Sequence, residues 1–151
     1  MIYILGGNGF LGSAIARYCE NRKLDYLVIT KENYQTNVGS TCDYLINCNG
    51  NSKKFLALND PYLDFNLSVN SVFRSIFDFK CKKYIFLSSS EVYNDTSSII
   101  STVEDIDVNP LALSPYGLNK FIAEIIVKKY AKNFIIFRLG GFVGEGLKKN
   151  P

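Results

Sequence analysis

The 151-residue sequence contains no histidine, and it has only four cysteines. Without histidine there can be no Ser-His-Asp triad, no Cys-His pair and no histidine-ligated metal, so we expect no metal site. Any proton transfer near neutral pH would use a tyrosine, lysine, cysteine or carboxyl group whose pKa the fold has shifted. The cysteines form no C-x-x-C pair, which favours reduced thiols and a cytoplasmic location.

The sequence also lacks long apolar runs and blocks of like charge. No stretch predicts a transmembrane helix, and the N-terminus has no signal-peptide pattern. The net charge is only +3 and the basic residues are scattered as pairs, so we expect neither a membrane nor a nucleic acid as partner. With 47% hydrophobic and 21% charged residues, the composition is that of one globular domain over residues 1–151.

The most informative stretch lies at the N-terminus, where the apolar residues 2–5 precede glycines spaced G-x-x-G-x-x-G. Gly6 lets the chain turn out of a strand, Gly9 lets a pyrophosphate approach the backbone, and Gly12 lets the next helix pack closely. A helix over about residues 10–21 would direct its N–H groups and positive dipole end at that phosphate. A tight strand-to-helix turn without a ligand is the alternative.

Further apolar segments alternate with helical patterns along the chain. Strands are predicted at 25–30, 43–48, 83–87 and 133–138, and long helices at 60–79 and 115–132. This alternation predicts an α/β fold: a doubly wound parallel sheet of the Rossmann type, in three αβα layers. The polar connection 33–42 is too short for a full crossover helix, so one face of the sheet should be thinly covered.

The helix predicted over 60–79 has an apolar stripe that two asparagines interrupt. Asp60 is a suitable N-cap, and Pro61 a suitable first helical residue. Because Asn66 and Asn70 lie on the apolar side, we expect buried amides that need a hydrogen-bond partner, such as the backbone of a neighbouring loop.

The end of the second strand bears on the choice between NAD and NADP. In a dinucleotide-binding fold an acidic residue there accepts from the 2′-hydroxyl of NAD, whereas a basic residue meets the 2′-phosphate of NADP. Thr30 stands about where the acid usually lies, Lys31 follows, and Glu32 comes one step later. We slightly favour NADP, bound through Lys31; NAD, or an ordinary exposed charge pair, is the alternative.

The third predicted strand is followed by Asn49-Gly50-Asn51, at the edge where open α/β sheets bind ligands. Asn49 can therefore contact the adenine-ribose half of a dinucleotide. Asn-Gly is equally a plain turn signal, and the two interpretations carry the same weight.

Candidate catalytic residues follow the fourth strand. Tyr116 and Lys120 are four residues apart on a predicted helix, so their side chains share one face. The lysine ammonium would lower the pKa of the phenol, and a cationic nicotinamide would lower it further. Tyr116 could then exchange a proton with a substrate hydroxyl during hydride transfer, while Ser89 holds the same oxygen. The spacing alone is common, but its position after a serine-bearing strand strengthens it.

Three stretches together resemble the extended short-chain dehydrogenase/reductase family, the NAD(P)-dependent sugar-nucleotide epimerases, dehydratases and decarboxylases. The stretches are GGNGFLG at 6–12, SSSEVY at 88–93 and SPYGLNK at 114–120. With the strand spacing they cover nearly the whole chain. The resemblance implies a nucleotide sugar as substrate, epimerised, dehydrated or reduced by hydride transfer, and a homodimer as one option for assembly.

The resemblance also assigns residues. It implies Ser89, Tyr116 and Lys120 as the catalytic residues. Tyr116 and Lys120 also contact the cofactor, and Lys120 holds the nicotinamide ribose. It further implies that the backbone amides of Phe10 and Leu11 bind the pyrophosphate.

Other positions leave alternatives or depart from the family pattern. Glu91 falls where the dehydratase and decarboxylase branches carry a catalytic glutamate; an ordinary polar loop residue is the alternative. Thr30 replaces the strand-end aspartate, and Gly141 stands where the family tends to place a substrate-holding asparagine.

The chain stops at Pro151, whereas family members normally continue for a comparable length that supplies most of the sugar-nucleotide pocket. We therefore expect the substrate-binding C-terminal part to be largely missing. The chain would then be an excised piece, a truncated product or one part of a split protein. The alternative to an enzyme is a catalytically inactive NAD(P)-binding module completed by another chain, or a purely structural domain.

Overall fold

The computed structural model describes residues 1–141 and 143–144, so the predicted C-terminal tail lies largely outside the described residues. Five strands form a single sheet in the order β2-β1-β3-β4-β5, and every neighbouring pair runs parallel. The strands are β1 Ile2–Leu5, β2 Tyr26–Ile29, β3 Thr41–Asn47, β4 Lys80–Ser89 and β5 Phe134–Leu139. The predicted parallel Rossmann sheet is confirmed.

The helices connect these strands and cover the sheet. They are α1 Phe10–Asn21, α2 Tyr34–Asn37, α3 Leu56–Asn59, α4 Pro61–Phe65, α5 Ser71–Asp78 and α6 Pro115–Tyr130. Short 3-10 turns follow β4 and precede α6, at Ser90–Val92, Ile100–Thr102 and Pro110–Ala112. Among the described helices, none has the length and apolar character needed to cross a membrane.

The strand order reverses at the centre of the sheet. The chain steps outward from β1 to β2 and then returns past β1 to β3, so β1 lies between strands whose connections run in opposite directions. Open α/β sheets bind ligands in the crevice outside the carboxyl ends of the strands at such a reversal. The connection from β2 to β3 contains only the four-residue α2, as the short polar segment predicted.

The main core lies between the sheet and the helices α5 and α6. Alternate residues of β1, β3 and β4 point to this face, and the register pairs Tyr3 with Leu45 and Leu45 with Tyr84. Side chains from both helices complete it, and the cluster includes Tyr3, Leu5, Leu45, Val72, Tyr84, Phe86, Ala123 and Val127. This core holds α6 against β4.

The opposite face is covered over only part of its width. There α1 packs against β1 and β2. The register aligns a row of apolar side chains across β3, β4 and β5 on this face: Ile46, Ile85, Leu87, Ile135 and Phe137. Tyr44 on the same face and Phe137 are 46% and 47% exposed, so half of this face carries apolar side chains open to solvent.

The helix predicted over 60–79 is not continuous. Asp60 accepts a hydrogen bond from the backbone N–H of Leu63 at 2.9 Å and Pro61 opens α4, as expected, but a π-helical turn over Asn66–Asn70 separates α4 from α5. The prediction of buried amides here was wrong, because Asn70 Nδ2 donates to Asn66 Oδ1 at 2.5 Å at the surface.

A buried ion pair ties α6 to β5. Glu124 is completely buried, and its Oε2 accepts from Arg138 Nη2 at 2.9 Å, while its Oε1 accepts from Arg138 Nε at 3.0 Å and from Ser88 Oγ at 2.6 Å. The guanidinium of Arg138 also lies 4.8 Å from the ring centroid of Tyr93. This pair joins the helix with the Tyr116–Lys120 segment to the ends of two strands.

We expect Glu124→Ala to lower the free energy of unfolding by about 3–5 kcal/mol, because it leaves a buried guanidinium without its carboxylate. Chemical denaturation monitored by circular dichroism measures this. Lys128→Ala is the matched control: Lys128 Nζ lies 3.9 Å from the same carboxylate but its side chain is 50% exposed, so the loss should stay below about 1 kcal/mol. Equal losses for the two variants would contradict the prediction.

Candidate functional site

The glycine turn after β1 has the geometry that the spacing predicts. Gly6 has a φ of +74°, and a Cβ there would come within 2.5 Å of Asn49 Oδ1, so the turn packs directly against the loop after β3. A Cβ on Gly12 would lie 2.4 Å from the carbonyl oxygen of Gly6, so the close packing of α1 is against the glycine turn itself. Gly9 is the N-cap of α1, without a side-chain cap, and its carbonyl accepts from Ser13 N at 2.9 Å.

A cavity of about 700 Å³ lies beside this turn, at the reversal of strand order. Its lining includes Gly6, Gly9, Lys31, Asn49, Gly50 and Arg74. Four of the predicted cofactor residues therefore share one cavity. Phe10, Leu11 and Gly12 lie at the start of α1 and do not contribute to this lining.

The turn after β2 is closed by Asn33. Its Oδ1 accepts from the backbone N–H of Thr30 at 2.7 Å, and its Nδ2 donates to the carbonyl of Val28 at 2.9 Å. A hydrogen bond from the Thr30 side chain lowers the pKa of Glu32, whose carboxyl is fully exposed. Lys31 donates no hydrogen bond to another described residue.

The segment with the candidate catalytic residues begins at a well-defined helix start. Ser114 caps α6 by accepting from the backbone N–H of Gly117 at 3.1 Å, and Pro115 is the first helical residue. A Cβ on Gly117 would come within 2.3 Å of the carbonyl oxygen of Glu91, so α6 lies directly on the turn after β4. This contact brings Tyr116 close to Ser89, whose side chain interacts with the phenol.

The pKa of Tyr116 is raised above that of a free phenol. Burial is the largest cause, the hydrogen bond with Ser89 opposes it, and the charges of Asp64 and Glu91 add to the rise. The expectation that the neighbouring lysine lowers this pKa was wrong for the chain on its own. Desolvation and the two carboxylates decide the direction, so the phenol holds its proton at neutral pH.

Lys120 lies one turn after Tyr116 on α6 and is only 6% exposed. Its Nζ is 5.6 Å from the ring centroid of Phe86 and 6.0 Å from that of Tyr116. Burial lowers its pKa to about 8, against the opposing effects of Asp64 and Glu124. A Cβ on Gly50 would lie 2.8 Å from Nζ, and Gly50 also lines the cavity. Gly50 therefore lies where the predicted cofactor-binding residues meet the predicted catalytic residues.

A buried carboxylate in this region was missed by the sequence analysis. Asp64 is completely buried; its Oδ1 accepts from Asn51 Nδ2 at 2.8 Å and from Ser68 Oγ at 3.3 Å, and its Oδ2 accepts from Asn119 Nδ2 at 2.6 Å. Both asparagines belong to segments that the sequence singled out. Their shared partner on α4 carries no sequence signal, because only the fold brings it between them.

Glu91 joins the group through its backbone more than through its side chain. Its N–H donates to Ser89 Oγ at 3.2 Å, whereas its carboxylate pairs with Lys54 Nζ at 2.6 Å. Gly141 lies beyond β5, and no described residue comes within 4 Å of a Cβ built on it.

The parallel sheet, the reversal of strand order and the glycine turn together define a protein of the Rossmann class. The chain belongs to the NAD dependent epimerase/dehydratase family, whose pattern it matches over residues 2–151. No curated protein sequence matches the chain closely enough to be called a relative.

Solved structures with the same fold share little sequence with the chain. RMD from Pseudomonas aeruginosa complexed with NADPH has a TM-score of 0.79 at 16% identity, over 98% of this chain and 57% of that one. MoeE5 in complex with UDP-glucose and NAD has a TM-score of 0.74 at 16% identity, over 89% of this chain and 52% of that one. A UDP-galactose 4-epimerase has a TM-score of 0.73 at 22% identity, over 91% of this chain and 55% of that one. The chain thus spans about half the length of these proteins.

We expect Lys120→Met to stabilise the folded chain by up to about 3 kcal/mol at pH 7, because it removes a buried charge whose pKa falls from 10.5 to about 8. Between pH 8 and 10.5 the unfolded lysine keeps a proton that the folded one has lost, so wild-type stability rises with pH across that window. The difference between variant and wild type should shrink there.

Thermal unfolding at several pH values measures this difference. The matched control is Lys129→Met, an exposed position on the last turn of the same helix, which should change little. A loss of stability in Lys120→Met at pH 7 would contradict the account of Lys120.

Proposed function

We propose that this chain is the cofactor-binding part of an NAD(P)-dependent oxidoreductase that epimerises, dehydrates or reduces a nucleotide sugar. The observation that carries the proposal is the convergence of Tyr116, Ser89 and Lys120 at the carboxyl end of β4, beside the cavity of the glycine turn. Family membership supports it, as do the nucleotide-sugar and dinucleotide ligands of the similar structures. From the cysteine pattern we propose a cytoplasmic location.

The residues present fit a dinucleotide. Gly6 and Gly9 line the cavity with backbone alone, and the positive φ of Gly6 together with its close approach to Asn49 excludes a larger residue. The start of α1 follows directly, and a helix start without a side-chain cap favours an anion. Asn49 and Lys31 would hold the adenosine end, and Lys120 the nicotinamide ribose.

When bound, the nicotinamide supplies the hydride acceptor or donor. Tyr116 then exchanges a proton between its phenolic oxygen and a hydroxyl of the substrate. The Ser89 hydroxyl, which interacts with the phenol, positions the same substrate oxygen. Because the phenol keeps its proton at neutral pH, Tyr116 begins as a hydrogen-bond donor and acts as a base only when further positive charge reaches the site. Glu91 would assist only if it left its ion pair with Lys54.

A second candidate is a dinucleotide-binding module without catalysis, which needs a partner or a further domain. Two observations favour it: the chain spans about half the length of similar proteins, and apolar side chains of β3 and β5 such as Tyr44 and Phe137 are exposed. A covering segment from a longer protein would bury that face.

A homodimer is a further part of the proposal. Phe73, Phe77 and Tyr130 form a cluster of rings on the outer side of α5 and α6, with centroids 5.1–5.6 Å apart. Their exposed fractions are 39%, 60% and 48%. Such a patch of aromatic rings on two neighbouring helices is typical of an isologous interface.

We expect Tyr116→Phe to leave dinucleotide affinity within about twofold and to lower turnover of UDP-sugars about 10²–10⁴-fold, because only the proton-transfer group is lost. Calorimetry measures binding, and nicotinamide absorbance with UDP-glucose or UDP-galactose measures turnover. Tyr62→Phe, on the exposed α4, is the control. Turnover that survives in Tyr116→Phe would refute the assignment, and binding without any wild-type turnover would favour the inactive module.

We expect the wild-type chain to sediment as a dimer and Phe77→Glu to sediment as a monomer, because a carboxylate in the ring cluster would be buried without a partner. Analytical ultracentrifugation measures both. Tyr18→Glu on α1, where the tyrosine is 56% exposed, should leave the dimer intact. A wild-type monomer at all concentrations would refute the dimer.

A further inference from the structure

The cavity beside the glycine turn contains a cation that no sequence pattern indicated. Arg74, on α5, lines the same cavity as Lys31 and Thr30. Its guanidinium carbon lies 5.6 Å from the ring centroid of Tyr34. That ring is itself held edge-on by Phe79, with centroids 5.2 Å apart and planes at 88°. The guanidinium therefore rests on a ring anchored in the core.

The hydrogen-bond donors of this cation are not used within the described part of the chain. Arg74 donates no hydrogen bond to another described residue, and its closest carboxylate oxygen, Asp78 Oδ2, is 3.6 Å away. That oxygen already accepts from the Tyr34 hydroxyl at 2.8 Å. Lys31, which also lines the cavity, likewise donates no hydrogen bond to another described residue. Two cations thus face one cavity with their donors available.

The acidic groups nearby are already engaged. Glu32 interacts with the Thr30 hydroxyl, and Asp78 with the Tyr34 hydroxyl. Lys31 and Arg74 add two charged donors to a lining that also carries the neutral amides of Asn8 and Gln35. Such a site favours a ligand group that is anionic and rich in acceptors, and a phosphate matches the planar fork of a guanidinium better than a hydroxyl does.

We propose that Arg74, together with Lys31, binds the 2′-phosphate of NADP, which makes Arg74 a specificity-determining residue for NADP over NAD. This inference rests on the proposed function, because it requires the dinucleotide to occupy this cavity. The guanidinium would donate two hydrogen bonds to the phosphate while it stays stacked on Tyr34. The 2′-hydroxyl of NAD carries no charge and would gain little from it.

The test is calorimetric titration of the full 151-residue chain with 2′,5′-ADP and with 5′-AMP, which differ only in the 2′-phosphate. We expect the wild type to bind 2′,5′-ADP at least tenfold more tightly than 5′-AMP. Arg74→Gln should weaken the affinity for 2′,5′-ADP about 10–100-fold and leave the affinity for 5′-AMP within about twofold of the wild-type value. The preference should also weaken as salt rises, because it is electrostatic.

The matched control is Arg22→Gln, which removes another exposed arginine stacked on a tyrosine, 5.5 Å above Tyr18 at the end of α1. It should leave both affinities unchanged. Lys31→Gln should reduce the preference for 2′,5′-ADP independently of Arg74.

The outcomes separate this inference from the proposed function. If 5′-AMP binds but Arg74→Gln keeps the full preference for 2′,5′-ADP, or if the wild type shows no preference, the role of Arg74 is refuted and the dinucleotide site stands. If neither nucleotide binds, and neither NAD nor NADP binds, the proposed function fails together with the inference.

Discussion

A buried carboxylate that accepts hydrogen bonds from three neutral side chains holds together the segments that form the candidate site. Asp64 accepts hydrogen bonds from Asn51 in the loop after β3, from Ser68 in the π-helical turn and from Asn119 on α6. Leaving a buried acceptor without its donor costs about 1–3 kcal/mol, so each of these contacts fixes the position of the segment that supplies it. Gly50 and Lys120 lie close together as a result, at the point where the cavity meets the candidate catalytic residues.

Burial is the largest cause of the pKa shifts of Tyr116 and Lys120, and the same anion modifies both shifts. The charge of Asp64 raises the pKa of Lys120 against the effect of burial, and it raises the pKa of Tyr116 in the same direction as burial. Without a cofactor, both groups therefore hold their protons near neutral pH. A positive charge next to the phenol would favour the phenolate and oppose the effects of burial and of the two carboxylates on the pKa of Tyr116. Under the proposed function, binding of a cationic ring and activation of the phenol would be coupled through that charge.

Local patterns predicted the strands, α1, the Asp60 cap and the glycine turn, because each depends on neighbouring residues. Features that depend on distant contacts escaped prediction. Asp64 and Asn119 are 55 positions apart and meet only through a crossover. The prediction that the amides of Asn66 and Asn70 are buried was wrong, because a π-helical turn changes which residues share a helix face. The direction of the Tyr116 pKa shift was missed because burial cannot be derived from a four-residue spacing.

The short connection between β2 and β3 explains how an arginine from α5 comes to line the cavity beside the glycine turn. The common doubly wound sheet has a further strand beyond the one equivalent to β2. Here β2 is the edge strand, and only α2 follows it. Tyr34 of α2 packs on Phe79 and offers its ring to Arg74, so the guanidinium takes a place beside the cavity that a longer crossover would cover. The shortened edge of the sheet thus leaves Lys31 and Arg74 on one wall of the cavity. Under the proposed function, the charge of that wall, rather than the residue at the end of β2 alone, would determine which dinucleotide binds.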